Sequence, residues 1–255
     1  MEEIMRFSTM TMIGAFCLMA ETTIADEIRV LTGNAVSGPQ QILASEFARQ
    51  TGHVVKITSA NPAIIQQKIT AREPFELYII PAQFLRSAEI ARILTPGTLK
   101  PVARVGVGIA ARVDGPTLNF STVNSFRKLL IDAKVITFSD PSSGGLSSLS
   151  VLKVLENLGL TEVVKAKANT RGNGQELVGR GEADFGLYNA SEIPRAPNVV
   201  LAGLAPRDVQ AWLEYDGAVP AANAMPALAL AFLNLISDRK AKDIWEKAGI
   251  DLAEQ

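Results

Sequence analysis

Hydroxyl groups and glycines are concentrated in Ser139-Asp140-Pro141-Ser142-Ser143-Gly144-Gly145-Leu146-Ser147-Ser148. Before this run, Lys134-Val135-Ile136-Thr137-Phe138 is short, apolar and β-branched, which predicts a buried strand. After it, Leu149, Leu152, Leu155 and Leu158 recur about once per helical turn, and Gly159 supplies a C-terminal stop. The expectation is a strand that ends in a small polar loop and opens a helix. Glycine lets the backbone approach a bound group, and the first helical turn offers unpaired N–H groups with a partial positive charge. Serine hydroxyls add donors, so a small anion or polar ligand suits this place. A turn that only caps the strand and the helix uses the same residue types, so the rest of the chain must decide.

Other residues able to do chemistry are few. Arg171 precedes Gly172-Asn173-Gly174 in a polar turn, where it either pairs a ligand carboxylate or stays solvated. Asn34 follows an apolar strand, as a ligand contact or a turn residue. Gly181–Tyr188 reads as a turn into a strand that ends at Asn189-Ala190-Ser191, with Tyr188 either in the core or on a cleft wall. Arg104 lies in a long extended run, facing either a cleft or an acidic neighbour. The one histidine, His53, sits between Gly52 and a strand, which points to a structural role. There is no His pair, metal-ligand cluster or Gly-x-Ser-x-Gly elbow, so no metal or other cofactor is expected, and hydrolases and metalloenzymes have no support.

The elements that must position these residues alternate. Ile28–Leu31 predicts a strand, and Pro39 opens a helix with Ile42, Leu43 and Phe47 on one face, ending at Gly52. Val54–Thr58 predicts a second strand. Asn61-Pro62 opens a helix carrying Ile65 and Ile69, and Phe75–Ile80 predicts a third strand before Pro81-Ala82-Gln83. Such βαβ spacing implies mostly parallel sheets with helices on both faces, and ligands beyond the carboxyl ends of the strands. Val102–Ala110 contains Gly106-x-Gly108-x-x-Ala111, which imitates a dinucleotide fingerprint inside a strand that no helix follows; a strand crossing between domains suits it better. A second series comprises a helix around Phe126, Leu129 and Leu130, the serine-rich loop, and the strand ending at Asn189. Val199–Ala202 then leads back toward the first domain. Pro226–Ile236 reads as a buried helix, and a last helix carries Ile244, Trp245 and Ala248.

Composition excludes one class of function. The 255 residues are 47% hydrophobic and 20% charged, which describes a globular chain with an ample core. A formal charge of −1 with 6% aromatic residues leaves no electrostatic footprint for nucleic acid. The N-terminus differs: Met10–Ala20 is an apolar run too short to span a bilayer comfortably, and Thr23-x-Ala25 follows it. Residues 1–25 are therefore expected to be a secretory signal peptide, with Met5 as an alternative start. Its removal takes away Cys17, the one cysteine, so the mature protein would use no thiol chemistry and no disulfide.

Across nearly the whole mature chain the sequence resembles bacterial periplasmic solute-binding proteins of the molybdate-binding type. The marks are Ile28-Arg29-Val30-Leu31-Thr32-Gly33-Asn34-Ala35, Glu46-Phe47-Ala48-Arg49-Gln50-Thr51-Gly52, Asp140-Pro141, Gly181-Glu182-Ala183-Asp184-Phe185-Gly186 and Ile244-Trp245-Glu246-Lys247-Ala248-Gly249-Ile250. The resemblance implies an α/β fold of two Rossmann-like lobes, with mixed, mostly parallel sheets joined by two crossing strands: the type II periplasmic-binding-protein fold. Residues 26–103 and 204–255 would form a discontinuous first lobe and residues 104–203 the second. It also implies a monomeric periplasmic protein that takes a small anionic ligand between the lobes and has the membrane subunits of an ABC-type transporter as partners.

The ligand positions implied by the resemblance are Asn34, Ala35, Ala63, Ser143, Gly144, Gly145, Ser147, Arg171, Tyr188 and Asn189. They depart from the molybdate pattern. Ala35 stands where oxyanion-binding members place a serine, Asn61-Pro62-Ala63 replaces a serine-rich helix start, and Asn189 replaces the closing tyrosine, with Tyr188 one place earlier. A tetrahedral oxyanion without a counter-charge needs many converging neutral donors. An organic anion, with Arg171 pairing a carboxylate, fits these residues better than molybdate. Part of this branch resembles aconitate isomerase, so an enzyme that moves a double bond by proton transfer in the same cleft is the alternative to a binding protein.

Overall fold

The protein was analysed as a computed structural model, which describes residues 25–143, 145–193 and 196–253. The expected signal sequence therefore lies outside the described residues, apart from Ala25. Eleven strands are described: β1 (Glu27–Gly33), β2 (Val54–Ala60), β3 (Leu77–Pro81), β4 (Lys100–Val105), β5 (Val107–Arg112), β6 (Ile136–Thr137), β7 (Ala168–Asn169), β8 (Phe185–Asn189), β9 (Val199–Leu204), β10 (Leu213–Ala218) and β11 (Ile250–Leu252). The helices are α1 (Ser37–Thr51), α2 (Pro62–Thr70), α3 (Ala82–Leu85), α4 (Ala88–Ala91), α5 (Val123–Asp132), α6 (Leu146–Leu158), α7 (Thr161–Lys165), α8 (Gly174–Arg180), α9 (Pro226–Ser237) and α10 (Lys242–Lys247).

The strands form a six-stranded sheet, β11-β4-β10-β3-β1-β2, and a five-stranded sheet, β7-β6-β8-β5-β9. β1 pairs in parallel with β2 and β3, and β6 pairs in parallel with β7 and β8. The antiparallel pairings all involve β4, β5, β9, β10 or β11. These are the two crossing segments, their neighbours and the last strand. This is the expected α/β architecture, with antiparallel insertions wherever the chain passes between sheets.

Alternation along the strands builds a core on each face of each sheet. Ile28, Val30, Leu77 and Ile79 face α1, α9 and α10, where Leu43, Phe47, Phe232 and Trp245 are buried. Leu31, Tyr78 and Ile80 face the other way, toward Ile65, Ile69, Leu85 and Ile90 of α2, α3 and α4. In the second sheet Phe185 and Leu187 pack under α5, α6 and α7 with Phe126, Val154, Leu155 and Val164. Ala110 and Tyr188 face α8 through Val178. The Phe47 and Phe232 rings meet edge to face at 5.4 Å, and the Trp245 indole N–H donates to the Ile236 carbonyl at 2.9 Å.

Three local expectations need correction. Ile42 is 58% exposed, because the buried face of α1 runs through Pro39, Leu43, Ala44 and Phe47. Leu149 is 52% exposed, and the buried stripe of α6 is Val151, Val154, Leu155 and Leu158. Regular pairing before the serine-rich loop covers Ile136–Thr137 alone, although Phe138 stays buried. Both leucine and valine satisfy a helical stripe, and only the packed neighbours choose between them.

The chain passes between sheets twice. β4 runs into β5 through Gly106, and β9 leads to β10 through residues 205–212. Gln210 clasps the two crossings: its carbonyl oxygen accepts from the Val107 N–H at 2.8 Å, and its amide nitrogen donates to the Val107 and Ala205 carbonyls. A side chain at Gly106 would meet the Gln210 amide at 2.8 Å and the Trp212 ring at 3.0 Å, so the glycine lets the two crossings approach closely.

Candidate functional site

The carboxyl ends of strands from both sheets meet at a cavity of about 190 Å³. Gly33, Ala60 and Pro81 end β1, β2 and β3, while Ser139 and Asn189 follow β6 and end β8. This is where ligands bind in open α/β sheets, because the polar turns gather there. A hypothetical side chain at Gly33 would lie 2.5 Å from the Tyr215 ring, so the glycine lets that ring close over the end of β1.

Helix starts supply much of the wall. A 3₁₀ turn, Asn34–Val36, leads into α1 with no side-chain cap, and Asn34 and Ala35 line the cavity. Gly145, Leu146 and Ser147 bring in the start of α6, again without a side-chain cap. Asn61 and Pro62 bring in the start of α2, but there the Asn61 carboxamide oxygen accepts from the Ile64 N–H at 3.0 Å. The α6 start therefore has no side chain competing for its backbone donors, whereas the α2 start satisfies one of its own.

Ser147 is oriented before any ligand arrives. Its hydroxyl oxygen accepts from the buried Asn189 N–H at 2.9 Å, which leaves the O–H proton as a donor. The Asn189 side chain is 1% exposed, and among the described residues its carboxamide oxygen has no hydrogen-bond partner. That oxygen is an acceptor, so it suits a ligand that brings a hydrogen-bond donor to this wall.

A second cavity of about 220 Å³ adjoins the first and shares Ser139 and Glu192 with it. Its other walls are Phe138, Gly172, Asn173, Gly174, Gln175 and Tyr188. Burial raises the Tyr188 hydroxyl above the ordinary phenol range, its hydrogen bond to Thr137 pulls the other way, and the Glu192 charge adds to the rise. The hydroxyl donates to the Thr137 hydroxyl at 2.9 Å. Burial likewise pushes Tyr215 up, again with a contribution from Glu192. Both phenols therefore stay protonated near neutral pH, and one carboxylate influences them both.

The sequence expectations divide here. Asn34, Ala35, Gly145, Ser147 and Asn189 meet at the first cavity, and Tyr188 lines the second. Ala63 is exposed and turned away from the wall, which α2 reaches through Pro62 and Ile65 with Asn61 just before them. Arg171 is exposed and contributes to neither wall, although Gly172, Asn173 and Gly174 beside it do. Its charge reaches Asp140. The Ser142 N–H chiefly holds that carboxyl below its usual range, at 2.8 Å, and Arg171 adds to the effect. Gly144 lies outside the described residues, and Ser143 belongs to the 3₁₀ turn Pro141–Ser143.

Other residues take structural places. His53 accepts from the Asp26 N–H at 3.2 Å, at the end of β1 and β2 opposite the cavity. Arg104 pairs with Asp251 at 3.1 Å and stacks over Trp212 at 4.4 Å, which accounts for it without the cleft. Sequence reading missed Tyr215 and Glu192 as wall residues. Glu192 follows Asn189 by three residues, so that strand end carried a signal; Tyr215, in β10, carried none.

Comparison with known proteins follows this geometry. Over 252 residues the chain is 23% identical to an aconitate isomerase from Pseudomonas sp., covering 93% of this chain and 94% of that protein. The substrate binding domain of a putative molybdenum ABC transporter from Clostridium difficile superposes with a TM-score of 0.75 at 18% identity, covering 90% of this chain and all of that one. The periplasmic molybdate-binding protein of Azotobacter vinelandii gives a TM-score of 0.66 at 21% identity, over 89% of this chain and all of that one. The fold is therefore that of type II periplasmic binding proteins. Residues 28–251 match the family model described as bacterial extracellular solute-binding protein, and the chain belongs to that family.

Proposed function

We propose that the protein is exported to the periplasm as a monomer, captures a small organic anion in the cleft between its lobes, and presents it to the membrane subunits of an ABC-type transporter. The observation that carries this reading is the cavity at the strand ends, where the 3₁₀ turn Asn34–Val36, the uncapped start of α6 and the Ser147 hydroxyl converge. Backbone donors of this kind hold an anion without a full counter-charge. An organic carboxylate is favoured over molybdate because Ala35 contributes no hydroxyl and Asn61 uses its oxygen as a cap, so the neutral donors that a compact oxyanion needs are few. Hinge closure over the ligand at the Gly106 and 205–212 crossings would complete the binding cycle.

A thermal-shift screen against oxyanions and di- and tricarboxylates tests the reading. A ligand at 100 times its dissociation constant should stabilise the protein by about 2.7 kcal/mol. Arg171→Ala should change carboxylate affinity by less than about twofold, because the arginine is exposed and lines neither cavity. Submicromolar molybdate binding with no carboxylate response would overturn the preference.

A second reading makes the protein an isomerase that shifts a double bond. Its support is the similarity to the Pseudomonas aconitate isomerase and the Glu192 carboxylate near the Tyr188 and Tyr215 hydroxyls. Glu192 would take a proton from a carbon beside a carboxylate and return it to another, with no net gain or loss. Conversion of trans- to cis-aconitate by the wild type, abolished in Glu192→Gln with binding retained, would establish it. No turnover by pure wild type would exclude it.

A further inference from the structure

We infer that the ligand carries a hydroxyl on the carbon next to its carboxylate, and that the Asn189 carboxamide selects for that group. The inference rests on the organic-anion reading above and narrows the acids it admits. Among the described residues, the buried side-chain polar atoms without a hydrogen-bond partner are Gln40 Oε1, Asn189 Oδ1 and Ser191 Oγ. Of these residues only Asn189 lines the cavity at the strand ends. Other acceptors in that wall are engaged: the Asn61 oxygen caps α2, and the Ser147 oxygen accepts from the Asn189 N–H. A buried acceptor left unpaired costs free energy, and at a cavity wall a bound donor recovers that cost.

Position fixes where on the ligand the donor must lie. Gly145, Leu146 and Ser147 bring the start of α6 into the same cavity, where its backbone donors and the Ser147 O–H would hold a carboxylate. The Asn189 N–H is bonded to the Ser147 oxygen at 2.9 Å, so the carboxamide stands within a side chain's length of that hydroxyl. A donor on the carbon beside the carboxylate reaches it without moving the carboxylate off the helix. A hydroxyl suits the carboxamide better than an ammonium does. It both donates and accepts, and so satisfies the amide in either of its two orientations, whereas an ammonium only donates. Glu192 in the same wall makes an amino acid the necessary comparison, since its carboxylate would attract an ammonium.

The experiment is calorimetry on the wild type with acids that differ by one hydroxyl: propionate with lactate, succinate with malate, and tricarballylate with citrate. Aspartate, 3-hydroxypropionate and molybdate are run alongside. In each pair that binds, the hydroxy acid should be at least about fivefold tighter, as expected when a buried acceptor gains a partner. 3-Hydroxypropionate should stay near propionate. In Asn189→Leu, an apolar group of similar shape, the ratio within each pair should fall to about one. Its ligand-free melting temperature should hold or rise, because an unpaired acceptor has been removed. Asn189→Ala reads the same ratio if the leucine variant does not fold. Hydroxy acids no tighter than their parents would overturn the inference while leaving the organic-anion reading intact. A ratio retained in a folded variant would also overturn it, since the hydroxyl would then be read elsewhere. Aspartate tighter than malate would assign the donor to an ammonium, with the same consequence. Molybdate binding with no carboxylate bound would sink both readings.

Discussion

The starts of α2 and α6 face the same cavity and treat their backbone donors in opposite ways. Asn61 caps α2 by accepting from the Ile64 N–H, so that helix is satisfied before a ligand arrives. Gly145 precedes α6 without a side chain to do this, and Ser148 turns back to bond the Gly145 carbonyl at 2.8 Å. The α6 end therefore keeps its donors, and Ser147 adds a hydroxyl fixed from behind by Asn189. A cap that stabilises a helix removes a donor from a ligand, so a binding site needs some ends left open. The first lobe contributes the closed end to the cavity, and the second contributes the open end with the oriented hydroxyl.

Closing the open end should have the largest effect. In Gly145→Asp the new carboxylate would cap α6 and repel an anion in a confined space, a penalty of several kcal/mol. Affinity for the best carboxylate should fall about 100-fold or more by calorimetry. The melting temperature without ligand should hold or rise slightly, since Asp caps better than Gly by a few tenths of a kcal/mol. Unchanged affinity would mean that α6 does not hold the anion.

Ser147→Ala comes next and has two readouts. Losing one neutral donor should weaken binding by about 0.5–1.5 kcal/mol, roughly three- to tenfold. The buried Asn189 N–H also loses its acceptor, at a cost of about 1–3 kcal/mol in denaturant unfolding. A binding loss with no stability loss would show that the hydroxyl is not held as described.

The smallest effect on binding should follow from opening the closed end. Asn61→Ala should cost about 1 kcal/mol of stability through the lost cap, with affinity changed by less than about twofold. A large affinity loss in this variant would erase the distinction between the two ends.

Much of this was legible in the chain. Alternating apolar strands and amphipathic helices, with Gly52 and Gly159 at positive φ as helix stops, announce an α/β protein with mostly parallel sheets because those signals lie within a few residues of each other. Asn34 and Asn189 drew attention because they sit at strand ends, where a parallel sheet must place its polar turns, and Ser147 because a serine-rich loop opens its helix. Ala63 lies between Pro62 and Ile65, which both reach the cavity, and the rotation of the helix carries it to the exposed side. Arg171 was chosen for its charge, and charge alone does not tell a chain which way a loop side chain points.

What the sequence by itself determined is the set of elements and the strand ends at which chemistry gathers, since both depend on local periodicity and turn residues. The tertiary structure decided which residues share a space. Tyr215 reaches the end of β1 from a strand more than 180 residues downstream, by antiparallel pairing of β10 with β3. The Ser147 hydroxyl is oriented by a backbone N–H 42 residues away. Glu192 becomes a wall of two chambers only when both lobes are in place. Such contacts arise from burial and long-range pairing, which act on the whole chain at once and leave no mark within a short window of residues.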